Sequence, residues 1–149
     1  MKPEFEIRND PMRRVVYVRM TGLFDEAAMQ AWTKGYRAQG TAPYAGKRHM
    51  VVADMRGMKT VHPSIAALMG AEIGYARRHG AVLCAHISDN TVQKLQAARV
   101  ARQNSPTDDV TVDVDSPEEA ERVVRAYAKY LDDVRFSGSI RDALSELSA

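Results

Sequence analysis

Four histidines, one cysteine, one serine at a helix start and a strand-end aspartate are the groups of this chain best suited to chemistry. His49, His62, His79 and His86 are dispersed, with no acid–thiol–imidazole cluster at metal-ligand spacing, so no metal site is expected. His62 or His86 with Asp54 would make an acid–base couple, but no nucleophile or oxyanion device accompanies it. Cys84 lies mid-strand between Leu83 and Ala85 without a C-x-x-C partner, and reads as a buried, inert thiol. Gly22, Gly35, Gly40 and Gly46 form no G-x-G-x-x-G, and no P-loop, G-x-S-x-G elbow or H-E-x-x-H is present. The expectation is no cofactor and no enzymatic activity.

Ser64 stands apart. The polar stretch Asp54–Ser64 lies where the C-terminal end of a strand meets the start of a helix. Orphan backbone N–H groups and the helix dipole favour an anion at such a place. A phosphate on Ser64 would add about two negative charges to an exposed surface. That would cancel most of the formal net charge of +2.

These groups need elements to hold them. The 149 residues, 45% hydrophobic and 27% charged, fit one domain, which buries roughly 70% of its unfolded surface without disulfides or structural metal. Phe5-Glu6-Ile7, a turn at Asn9-Asp10-Pro11 and the β-rich Val15–Thr21 predict an edge hairpin. Asp25 caps a helix to about Arg37 with Ala28, Trp32 and Tyr36 on one stripe, and Gly40–Gly46 reads as a loop. The near-continuous apolar run His49–Met55 predicts a strand covered on both faces. Pro63 opens a helix carrying Ile65, Leu68, Met69, Ile73 and Ala76, which ends near His79-Gly80. A strand at Ala81–Ile87, a helix marked by Val92, Leu95 and Val100, and a strand at Val110–Val114 follow. Ser116-Pro117-Glu118-Glu119 then starts a helix with Ala120, Val123, Val124, Tyr127 and Leu131 on one side. The order implies an α/β fold: a mostly parallel five-stranded sheet with an antiparallel edge strand and packed helices.

Beyond residue 133 the chain departs from this alternation. Ile140, Ala143, Leu144 and Leu147 stripe a short amphipathic helix, too short to be stable alone. Residues 1–133 are thus expected to form the domain and 134–149 an extension. The extension docks on its own domain, pairs a homodimer, or frays.

Val51-Val52-Ala53-Asp54-Met55-Arg56-Gly57-Met58-Lys59-Thr60-Val61-His62-Pro63-Ser64 resembles the central motif of STAS domains, the family of anti-sigma factor antagonists, also called SpoIIAA-like. In that family a strand ends in Leu-Asp, a Gly follows, and Asp-Ser-Ser/Thr-Gly begins the next helix. Asp54 and Gly57 fall on the first marks, and His62, Pro63, Ser64 and Ile65 on the last four. The resemblance spans about Glu4 to Asp133 and implies that Ser64 matches a phosphorylated hydroxyl. His62 for Asp, Pro63 for Ser and Ile65 for Gly depart from the pattern, so the phosphoswitch is degenerate.

Three functional readings follow. A regulatory protein-interaction module would use Arg56, Lys59, Thr60, His62, Pro63 and Ser64 to meet a kinase or an anti-sigma-like regulator. A small apolar or anionic ligand would instead lie among Asp54, Trp32, Met58 and His86. Acid–base enzymology is the third. Nucleic acid is not an expected partner, because Arg13-Arg14, Arg77-Arg78 and Arg99/Arg102 have no interleaved aromatics and the net charge is small. No apolar run approaches the ~20 residues of a membrane span, and the N-terminal residues lack a signal-peptide core, so a cytoplasmic location is expected.

Overall fold

β-Branched residues at alternate positions drive the first pairing. In the computed structural model, which describes residues 1–44, 46–89 and 111–132, β1 (Glu4–Asp10) pairs antiparallel with β2 (Val15–Thr21), Ile7 opposite Val18. Three parallel strands continue the sheet: β3 (His49–Asp54), β4 (Ala81–Ile87) and β5 (Thr111–Val114), in the order β1-β2-β3-β4-β5. The mixed five-stranded α/β sheet expected from sequence is therefore present. The helix marked by Val92, Leu95 and Val100 and the extension 134–149 lie outside the described residues.

β3 sits at the centre, and its first four residues are buried. Val51 and Met55 join Val16, Val18 and Met20 in one core layer, while Met50 and Val52 join Leu83, Ala85 and Ile87 in another. Two helices cover the first layer. α1 (Glu26–Tyr36) starts at Asp25, whose carboxylate accepts from the Ala28 amide at 2.8 Å, and buries Met29, Trp32 and Tyr36. α2 (Pro63–Arg78) follows β3 and packs against α1 and β4. The second layer is covered by α3 (Pro117–Ala128), which packs chiefly over β4, β3 and β5. Its start is a displaced capping box: Ser116 Oγ accepts from the Glu119 amide, and Glu119 reaches back to the Asp115 amide.

Gly40–Gly46 differs from the expected loop. α1 continues as a π-turn over Arg37–Thr41 and a 3₁₀ turn over Ala42–Tyr44. Packing contributes: a Cβ on Gly40 would stand 3.3 Å from the Val16 side chain, so glycine lets the widened turn close on β2 without displacing it. Tyr44 is buried and hydrogen-bonds Asn9 on β1, which holds the turn to the sheet. Pro43 falls in the first turn of the 3₁₀ segment, where its missing N–H costs nothing.

Arg37 also closes a bidentate pair on Glu72, at 3.1 and 2.9 Å, and stacks over Tyr75. Glu72 is thereby buried on α2 with its charge compensated. No helix among the described residues is long and apolar enough to cross a membrane.

His49 is fully buried, stacked on Tyr44 at 4.5 Å, and donates from Nδ1 to the Lys47 carbonyl. Burial holds its imidazole below the ordinary pKa, with the Lys47 bond opposing and Arg14 reinforcing that shift. The folded state therefore binds the proton less readily than the unfolded chain. This contribution to stability is complete above about pH 6.5 and declines as pH falls from there toward the lower folded-state value. Urea unfolding at pH 7.5 and 5.5 should show a loss of stability in the wild type that is smaller in His49→Gln; equal losses would refute the assignment.

Candidate functional site

The site is built on the connection from β3 to α2. Asp54, the last residue of β3, takes the Arg56 guanidinium on both carboxylate oxygens, at 2.9 and 2.8 Å, and the Arg56 amide at 3.1 Å. Burial works against its ionisation, but these bonds hold the Asp54 carboxyl below the usual range. Gly57 then turns the chain at φ +81°, a conformation that disfavours a side chain.

Two backbone bonds pin the loop to the end of β2: the Gly22 amide donates to the Gly57 carbonyl at 3.0 Å, and Lys59 to the Gly22 carbonyl at 2.9 Å. Gly22 is itself at φ +86°, and a Cβ there would stand 2.2 Å from the Lys2 carbonyl oxygen. Met58 and Val61 plug into the core beneath the loop. The remaining side chains, Arg56, Lys59, Thr60, His62, Pro63 and Ser64, are exposed. All six sequence-predicted contact residues are thus exposed on this loop and the start of α2, and Leu23, next to the anchoring Gly22, is exposed as well. Gly22 and Leu23 carry no sequence signal of this role, because their partners lie far along the chain.

His62 is the N-cap of α2. Its Nδ1 accepts from the Ser64 amide at 3.1 Å, so that nitrogen carries no proton, and the Ser64 hydroxyl 2.8 Å away must be the donor to it. The His62 carbonyl accepts from the Ile65 and Ala66 amides, and Pro63 has none to offer. This corrects the expectation of orphan donors at the helix start: every first-turn amide is already engaged. An anion there keeps the helix dipole but finds no free backbone N–H.

The other predicted residues are divided by the sheet. His86 pairs in register with Ala53, whereas Asp54 pairs with Ile87, so the imidazole and the carboxylate project from opposite faces. An Asp54–His86 acid–base couple is therefore excluded. His86 Nδ1 lies 3.3 Å from Asp113 Oδ1, within ion-pair reach but outside hydrogen-bond geometry. Trp32 and His86 do meet, on the wall of an apolar cavity of about 80 Å³ between the sheet and α1–α2. Met58 is buried under the loop instead, and Asp54 lines a polar cleft on the α3 side. Cys84 is half-buried on the cavity wall, close to Tyr36, whose hydroxyl burial pushes far above its ordinary pKa. Among the described residues no group of three His, Cys, Asp or Glu side chains is placed to hold a metal ion.

No family model matches the sequence, and no curated protein matches it. Solved structures do. An anti-sigma factor antagonist from Mycobacterium paratuberculosis superposes with a TM-score of 0.58 at 11% identity, covering 83% of this chain and 95% of that one. A protein of the DUF3478 family with a SpoIIAA-like fold, from Shewanella loihica PV-4, gives 0.58 at 14%, covering 82% and 93%. The fold is SpoIIAA-like. Within this SpoIIAA-like fold, His62-Pro63-Ser64-Ile65 opens the helix after the central strand, and two of its departures from the motif it resembles have structural uses. His62 supplies the cap that Asp would otherwise give, and Pro63 occupies N1, where no amide is needed.

The cap can be weighed. His62→Ala removes the acceptor of the Ser64 amide and should lower unfolding stability by about 1 kcal/mol. His62→Asp restores an acceptor and adds a favourable charge–dipole contact, so it should match or exceed the wild type. Urea denaturation of the three proteins decides it, and an unchanged His62→Ala midpoint would refute the cap.

Proposed function

We propose that the chain is a non-enzymatic regulatory module that binds another protein through the β3–α2 surface. The observation that carries this reading is the ordered, outward-facing set Arg56, Lys59, Thr60, His62, Pro63 and Ser64 on a loop anchored by Met58, Val61 and two backbone bonds. A surface held in place before contact loses little entropy on binding. The fold shared with an anti-sigma factor antagonist supports a protein partner of that regulatory kind, an anti-sigma-like regulator or a kinase. Ser64 is the residue by which a phosphate would alter the surface, disturbing the His62 hydrogen bond and adding negative charge to the exposed start of α2.

A photo-crosslinking residue at Lys59, introduced in the native cell, should yield one covalent protein adduct that the same residue at Arg122 on α3 does not. Ser64→Asp should reduce that adduct. No adduct at Lys59, or equal adducts at both positions, would sink the reading. Unchanged adduct in Ser64→Asp, with no phosphate found on Ser64 by mass spectrometry, would remove the switch and leave the module.

A second reading rests on the cavity. Trp32 Nε1 is buried without a hydrogen-bond partner, and Trp32 lines this apolar space, so a small apolar ligand bearing one acceptor would satisfy it. Native mass spectrometry of freshly purified protein should then show a retained mass that is lost on denaturation and absent from the cavity-filling Ala76→Leu. A clean apo mass for the wild type would reject this reading.

A further inference from the structure

The described residues cover the α3 side of the sheet only in part. α3 packs chiefly over β3, β4 and β5, and a cleft of about 300 Å³ opens toward the β1–β2 half. Asp54 and Ile87 end β3 and β4, Arg19 lies two residues before the end of β2, and Pro117 starts α3. The cleft therefore sits at the carboxyl ends of the parallel strands, the edge at which open α/β sheets bind their ligands.

Among the described residues, two of its three carboxylates, Asp54 and Glu121, are engaged by protein partners, whereas Glu6 is not. Asp54 is taken on both oxygens by Arg56. Glu121 accepts from Arg13 at 2.6 Å and from the Tyr17 hydroxyl, and these two bonds hold it ionised against burial. The arginines lining the cleft make no such bonds, although Arg19 is near enough to Asp54 to help hold its carboxyl ionised. Arg8 lies over the Tyr17 ring at 4.3 Å and enters no ion pair or side-chain hydrogen bond among the described residues. Arg19 enters no ion pair or side-chain hydrogen bond among the described residues. Glu6 is opposite Arg19 in the β1–β2 register, yet the two form no ion pair. Between these charges the wall is apolar, made by Val52, Ile87 and Pro117.

We propose that this cleft binds a small organic carboxylate, its anionic end on Arg19 and Arg8 and its apolar body against Val52 and Ile87. Guanidinium forks suit a carboxylate geometrically, and the apolar wall favours an organic anion over an inorganic one. The cleft's volume limits the ligand to a compact body. The site is on the opposite face of the sheet from the Trp32 cavity, and stands whether or not the β3–α2 surface binds a protein.

Benzoate titrated into the full chain and followed by NMR tests it. Saturable shifts at the Arg19 side-chain Nε–H and at the Val52 and Ile87 methyls are expected, with a millimolar Kd. Arg19→Gln should weaken binding at least about tenfold, and Arg8→Gln should also weaken it, while Arg78→Gln on α2 should not. Inorganic phosphate should bind more weakly and leave the methyls unmoved. Non-saturating shifts would overturn the site, as would benzoate binding that survives in Arg19→Gln with the rest of its spectrum native. Phosphate that matches benzoate in affinity would overturn the organic carboxylate.

Discussion

Burial of β3 on both faces is the constraint from which the remaining architecture follows. Met50 and Val52 point one way, and Val51 and Met55 the other, so the sheet needs cover on two sides. Parallel pairing of β2, β3 and β4 carries α1 and α2 across the first side as connections. The second side is covered by α3, which enters after β5. Among the described residues α3 is the one helix on this side, and it cannot span five strands. The strip over β1 and β2 is accordingly polar, with Glu6, Arg8, Tyr17 and Arg19 where further apolar cover would otherwise be required.

The same strand ordering places the β3–α2 loop. β2 and β3 are neighbours, so the chain leaving β3 passes the end of β2 and can exchange backbone bonds with Gly22. Exposed polar side chains on an otherwise unsupported loop would lose entropy on meeting a partner. Here the alternation of buried Met58 and Val61 with exposed Lys59, Thr60 and His62 fixes the loop in the free protein. Exposure and order coexist because anchor and contact residues alternate.

What could be read from sequence was what is encoded locally. Ser116, Pro117 and Glu119 announce α3 within four residues, and Asp25 and Pro63 announce α1 and α2 nearly as directly. The alternation in β2 and the continuous burial of β3 were legible for the same reason. The exposed polar residues between Arg56 and Ser64 were legible because they fall within one short stretch. What escaped depends on partners distant in the chain. Glu72 looks like a solvated helix residue until Arg37 closes on it, and Gly22 looks like an ordinary strand terminator until Lys2 and Gly57 crowd it. The separation of His86 from Asp54 is set by the β3–β4 register, which includes an irregularity after His49 that local pattern does not encode. The stretch 40–44 misleads because glycine and proline signal loops locally, whereas packing against Val16 and burial of Tyr44 accompany helical turns there.

Gly22 has one more consequence, concerning geography. Its tight contact with Lys2 and the bond from the Leu23 amide to the Met1 carbonyl bring the first residues alongside the β3–α2 loop. Anything fused ahead of Met1, an affinity handle or a fluorescent dye, would emerge beside Lys59. A bulky fusion there would shade the loop, and a small dye would serve as a proximity reporter for whatever lands on it.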